Sequence, residues 1–143
     1  MIQKYMAKIS GPLLDRIDLH IEVPAVKYND LTSKTAGESS ASVRERVIRA
    51  REVQTKRFEG RKGMHSNADM VSKDIHTYCK LDSAGEELLK MAVSKLGFSA
   101  RAYDRILKVG RTIADLSGSE DVKPEHISEA IQYRTLDREL WAN

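Results

Sequence analysis

The chain has 143 residues, 41% hydrophobic and 31% charged, with three prolines; that is enough for one ordinary domain with a buried core, and too mixed for a low-complexity or fibrous protein. No run of about 18 apolar residues occurs, so no membrane span is expected, and "MIQKYMAKIS" lacks the continuous apolar stretch of a signal peptide. The formal net charge of +3 permits contact with nucleic acid or nucleotide without arguing for either, while the single cysteine, Cys79, excludes an internal disulfide and fits a reducing, cytosolic setting.

In chain order, residues 1–10 place Ile2, Met6 and Ile9 at helical spacing, and Gly11–Pro12 should break that helix. From Ile17 the pattern alternates. Ile17, Leu19, Ile21 and Val23 share one face, and Asp18, His20 and Glu22 the other, which predicts a half-buried strand ended by Pro24. A lone strand is not stable, and the rest of the chain offers it no partner. Residues 25–39 are small, polar and aperiodic, and read as a linker.

The remainder reads as helices. The first runs to Gly60, with Ser42 and Glu45 spaced as a capping box and Val43, Val47, Ala50, Gln54 and Phe58 as its inner stripe. After the loop "GRKGMHSNADMV", a short helix starts at Ser72 and ends near Cys79. Asp82 or Ser83 starts the next, with Leu88, Leu89, Ala92, Val93 and Leu96 inward and Gly97 suited to a left-handed end. Ser99 caps a long helix whose inner stripe is Tyr103, Ile106, Leu107, Gly110, Ile113 and Ala114, stopping at Gly118. Pro124 opens a last helix to about Tyr133 that buries Ile127, Ala130 and Ile131.

Few residues offer chemistry. His20, His65, His76 and His126 stand far apart, none paired with Cys79 at metal-ligand spacing, so exposed or capping roles are expected. Cys79 reads as a small buried hydrophobe. No G-x-x-x-x-G-K-[ST], G-x-S-x-G or H-E-x-x-H motif is present. The segment 44–62 carries Arg44, Arg46, Arg49, Arg51, Lys56, Arg57, Arg61 and Lys62 against three glutamates. It is a solvated helix face or a contact for a phosphate backbone; without interleaved aromatic residues, base stacking is not expected. Arg16 follows "GPLLD" on a tight turn. Arg101 stands in the first turn after Ser99, where helix dipole and unpaired N–H groups disfavour a cation by about 0.3–1 kcal/mol. An anion bound at that helix start would reverse the sign. Either arginine could equally be a surface salt-bridge former.

"YMAKISGPLLDRIDLHIEVP", "ESSASVRERVIRARE", "NADM" and "LGFSARAYDRILKVGRTIADLSGSEDVKPEHISEAIQYRTLD" together resemble the C-terminal part of the magnesium-chelatase-like AAA+ ATPases of the YifB/ComM type, over nearly the whole chain. The resemblance implies a mainly α fold. Residues 1–23 would be the end of an α/β nucleotide-binding core, 24–39 a linker and 40–143 a helical lid. It also implies that the phosphate loop, the metal-binding strand and the first sensor lie upstream of Met1, which is then not the natural start. By the same resemblance Arg16 is an arginine finger acting in trans and Arg101 the second sensor on ATP phosphate, with weaker claims for Arg105 and Arg111. ATP and Mg2+ would serve the full-length protein, a cytoplasmic hexameric ring, with no cofactor required by these residues alone. Its substrate would be branched DNA, with porphyrin chemistry of a magnesium chelatase subunit as the alternative. Two other classes stay open: an independent helical DNA-binding module using Arg44, Arg46, Arg49, Arg51, Lys56 and Arg57, and a protein–protein adaptor whose arginines are surface charges.

Overall fold

A computed structural model describes residues 10–26 and 37–139. Its elements, in order, are α1 (Gly11–Leu14), α2 (Ser40–Arg57), a 3-10 turn (Asn67–Asp69), α3 (Ser72–Tyr78), α4 (Ser83–Leu96), α5 (Ala100–Leu116) and α6 (Pro124–Glu139). No strand forms among the described residues. Residues 1–9 of the helix predicted over 1–10, and most of the predicted linker, residues 27–36, lie outside them.

The centre of the fold is α5, which packs against α6, α2, α3 and the 3-10 turn, while α4 packs on α6. Its apolar side supplies Ala102, Ile106, Leu107 and Ala114, which meet Ile127, Ala130 and Ile131 of α6 and Leu89 of α4 in one core. Gly110 lets α5 and α6 close up: a Cβ there would lie 2.8 Å from Ile127 Cδ1. Local signals set the ends. Asp82 Oδ1 accepts from Gly85 N–H at 2.7 Å, and Ser99 Oγ from Ala102 N–H at 3.2 Å. Gly97 turns the chain at φ 60°, as its place after α4 predicts, and Gly118 at φ 72° follows α5.

Several expectations change. Residues 17–23 form no strand, and the face expected to be buried is exposed: Ile17 39%, Leu19 45%, Ile21 68% and Val23 84%. The cause is the one the alternation itself raises, because no second strand is present among the described residues to take its backbone groups. Gly11–Pro12 do not simply interrupt; they open the single turn of α1, where a proline in the first turn forfeits no helical hydrogen bond. The capping box at Ser42 and Glu45 does not form. Ser39 caps α2 instead, its Oγ accepting from Ser42 N–H at 3.2 Å, while Ser42 Oγ donates to Glu38 at 2.8 Å. Of the α2 stripe only Ala50, Gln54 and Phe58 are buried; Val43 and Val47 stay exposed because nothing described packs beyond α5 there. Tyr103 is likewise exposed, and α6 runs on to Glu139.

Candidate functional site

Arg101 owes its position to the α4–α5 corner. Gly97 reverses the chain, Phe98 is buried behind it, and Ser99 (φ −72°, ψ 164°) holds the first turn of α5. Ser99 Oγ takes the Ala102 amide and Ser99 O takes the Tyr103 amide at 3.0 Å, while those of Ala100 and Arg101 have no carbonyl one turn back. Arg101 is exposed and makes no ion pair among the described residues.

It lines a groove of about 720 Å³ between the 18–21 segment, α5 and α6. Arg105 and Lys108 line it too, one and two turns along, against Asp18, Asp104 and Glu129. Arg105 is held by Asp18, and Lys108 Nζ donates to Ala68 O at 2.9 Å. Tyr133 donates to Glu129 at 3.0 Å, a bond that raises the phenol's pKa. Among the described residues, Arg101 is therefore the groove's uncommitted guanidinium.

Arg16 is exposed and does not line this groove, so the structure does not bring Arg16 and Arg101 to one pocket. The chain beside it is tied down. Arg134 Nη1 donates to Ile17 O at 2.6 Å, Arg134 Nη2 lies 3.9 Å from Asp15 Oδ1, and His20 N–H donates to Tyr133 O at 2.8 Å.

The other arginines divide into engaged and displayed. Arg57, expected on a basic surface, turns inward: its Nη1 and Nη2 reach Asp115 Oδ2 and Oδ1 at 2.7 and 2.5 Å, and Nη1 also reaches Asn67 Oδ1 at 2.8 Å. Arg111 donates from Nε to Asp115 at 3.1 Å and from its two terminal nitrogens to Glu120 O and Ser119 O, both at 2.7 Å. That commits it to closing the α5–α6 connection rather than to a ligand. Asn67 completes the network, donating to Asp115 at 2.8 Å and Thr112 at 3.0 Å while its amide donates to Gln54 at 3.1 Å. Sequence reasoning missed this cluster. The Arg111–Asp115 spacing of four residues on one helix was its only visible sign. Arg46 pairs with Glu38 and Arg61 with Asp74, whereas Arg44, Arg49, Arg51 and Lys56 are exposed with no ion pair among the described residues.

His126 caps α6 from within. Its Nδ1 accepts from Lys123 N–H at 3.0 Å and its Nε2 lies 3.2 Å from Ser117 Oγ, which donates to Ala114 O; the ring's proton therefore belongs on Nε2. Cys79 is buried, and that burial pushes its thiol up to about 11, away from reactivity. Among the described residues no group of three His, Cys, Asp or Glu could hold a metal ion, and no helix is long and apolar enough to cross a membrane.

Comparison with known proteins fits this arrangement. Residues 37–134 match the family described as magnesium chelatase, subunit ChlI C-terminal, and residues 1–31 match magnesium chelatase, subunit ChlI. The chain is 46% identical over 140 residues to Competence protein ComM of Haemophilus influenzae, covering 97% of this chain and 26% of that protein. It is 43% identical over 139 residues to the Escherichia coli protein YifB, covering 96% and 26%. A Mycobacterium tuberculosis protein is 32% identical over 132 residues, again 26% of its length. The chain thus spans about a quarter of the length of these curated relatives. The helical fold built on α5 and the family match over residues 37–134 agree: the chain belongs to the magnesium chelatase, subunit ChlI C-terminal, family and resembles its YifB/ComM-type members.

Proposed function

We propose that the chain supplies the helical lid and the last part of the nucleotide-binding core of a ring-forming, cytoplasmic AAA+ ATPase. Residues 1–23 belong to the core, 24–39 link, and 40–143 form the lid. Arg101 contacts an ATP phosphate as second sensor, and Arg16 reaches the γ-phosphate bound by the neighbouring subunit. The carrying observation is Arg101 itself, an exposed guanidinium with no ion pair among the described residues, at the cap-held start of α5. That placement is mildly unfavourable alone and becomes favourable once an anion joins it. A phosphate suits this helix start, where Arg101 lines the groove beside first-turn amides that lack a helical carbonyl. The described residues supply no ligand set for Mg2+, so this reading leaves the metal to residues outside them. When bound, ATP brings the scissile phosphoanhydride, and this chain's part is to orient phosphate and offset charge developing on it.

The test is Arg16→Ala in the full-length protein. It is expected to bind ATP almost normally and to hydrolyse it about 10³–10⁵ more slowly, a barrier rise of roughly 4–7 kcal/mol. An exposed salt bridge supplies only about 0–1 kcal/mol. Mixing with a phosphate-loop mutant should restore part of the activity, because hybrid rings contain an intact loop facing an intact finger. No rescue in mixtures shown to exchange subunits returns Arg16 to a surface role.

For the parent's substrate we favour branched DNA, and for its assembly a hexamer. Hydrolysis stimulated by branched DNA supports the motor, whereas stimulation only in the presence of porphyrin and chelatase partners supports a magnesium chelatase subunit. A second reading, direct DNA contact through α2, is favoured by one observation: Ala41 through Arg49 are all exposed, displaying Arg44 and Arg49, with Arg51 and Lys56 beyond. Arg57 leaves that set because Asp115 holds it, and Arg46 is shared with Glu38. Salt-steep DNA binding by this chain, weakened by neutralising Arg44, Arg49 and Arg51, is its signature.

A further inference from the structure

Arg134 is the largest of the fully buried side chains, 1% exposed near the end of α6. A guanidinium in that position is costly to desolvate, and a packed apolar side chain would fill the space without that cost. Two of its contacts fall on one short stretch of chain. Nη1 donates to Ile17 O at 2.6 Å, and Nη2 lies 3.9 Å from Asp15 Oδ1. These are the residues immediately after and before Arg16. Arg134 grips the chain on both sides of an arginine that is itself exposed.

We infer that Arg134 is a positioning residue for Arg16: from inside the helical bundle it fixes where the Arg16 side chain leaves the protein. The inference rests on the reading of Arg16 as a finger. Two further ties hold the same stretch, His20 N–H to Tyr133 O at 2.8 Å and Asp18 to Arg105. They join it to α6 and to α5, and α5 and α6 are pressed together at Gly110. Because α5 also opens with Arg101, both arginines ride on one frame. A shift of the bundle on meeting nucleotide at Arg101 is then delivered to Arg16 without slack. An unheld extended segment would instead let Arg16 sample many positions, and misplacing a catalytic group by about 1 Å can cost on the order of a hundredfold.

The test is a double-mutant cycle in the full-length protein between Arg134→Met and Arg16→Ala, read as steady-state ATP hydrolysis, with amide exchange at His20 reporting whether the segment is held. Arg134→Met is expected to lower kcat on the order of tenfold to a hundredfold, with KM for ATP changed by less than about twofold and the His20 amide deprotected. Arg134→Lys, which keeps the charge and can reach one carbonyl, should recover part of the loss. In the Arg16→Ala background, Arg134→Met should cost nothing further, since a positioning residue acts only through what it positions. An equal loss in both backgrounds overturns the inference and makes Arg134 a support of the bundle. Full kcat with a deprotected His20 amide also overturns it. If Arg134→Met does not fold, the cycle is run with Arg134→Lys and judged by the same background dependence. Undiminished turnover in Arg16→Ala alone refutes the finger reading, and the inference with it; a large Arg16 effect beside a background-independent Arg134 effect refutes the inference alone.

Discussion

Asp115 has a side chain with no solvent exposure and two guanidiniums upon it, Arg57 from α2 and Arg111 from its own helix. Buried charges of this kind add little net stability when complete, because desolvation offsets the attraction, but breaking one side leaves uncompensated charge in the interior. Asp115→Ala is therefore expected to destabilise the chain by about 3–5 kcal/mol, read from urea unfolding. Two other carboxylates shape the acid response. The Arg61 guanidinium, then the Val71 amide, hold Asp74 below its ordinary value of 3.8; the His65 and Ser66 amides do the same for Asp69. A lowered folded-state pKa means that the stabilisation is complete above the unfolded value and is lost as pH falls through the folded one. Stability should thus be flat from neutral pH down to the ordinary carboxylate range and decline below it. Asp74→Asn should flatten that decline, as denaturation midpoints measured along the acid limb will report.

At the scale of elements, α5 sets both the packing and the candidate site. Its inner side is closed by Gly110 against Ile127, which is fully buried and has nowhere to swing. Gly110→Ala gains about 1 kcal/mol of helix propensity and incurs overpacking of about 1–3 kcal/mol, so a net loss near 1 kcal/mol is expected by thermal unfolding. The outer start of the same helix behaves oppositely. Arg101→Ala removes an exposed side chain from the positive end of the dipole and opens no cavity, so the lid should stay folded and gain up to about 0.5 kcal/mol. In the full-length protein the same change should impair ATP hydrolysis or its coupling. A lid that unfolds in Arg101→Ala would make the residue structural.

For the molecule as a whole, the segment from Ser10 to Val26 is carried on the bundle, not built into it. The tie nearest its far end is His20 N–H to Tyr133 O; Ile21 and Val23 beyond it are exposed, with no amide bond among the described residues. Amide exchange in this chain should show His20 protected and Ile21, Glu22 and Val23 exchanging quickly. Strong, uniform protection from Ile17 to Val23 in a monomer would mean that these residues do form a sheet.

What the sequence determined by itself was local or familial. Asp82, Gly97, Ser99 and Gly118 marked the helix ends correctly because each acts on backbone groups within three or four residues, and the long run from Leu96 to Asp137 carried the family resemblance. The burial of Cys79 followed from its residue type, and that of Ile106, Leu107, Gly110 and Ala114 from period. Tertiary structure decided the rest. Nothing near Arg57 separates it from Lys56 or Arg51 as a surface cation; its partner Asp115 lies 58 residues away, and Arg134 meets Ile17 across 117. The alternation at 17–23 likewise encodes a face that is ready to be covered, but a strand exists only when another chain segment takes its hydrogen bonds. Charges and edges of this kind are settled by which elements converge on them, and convergence is a property of the packed molecule.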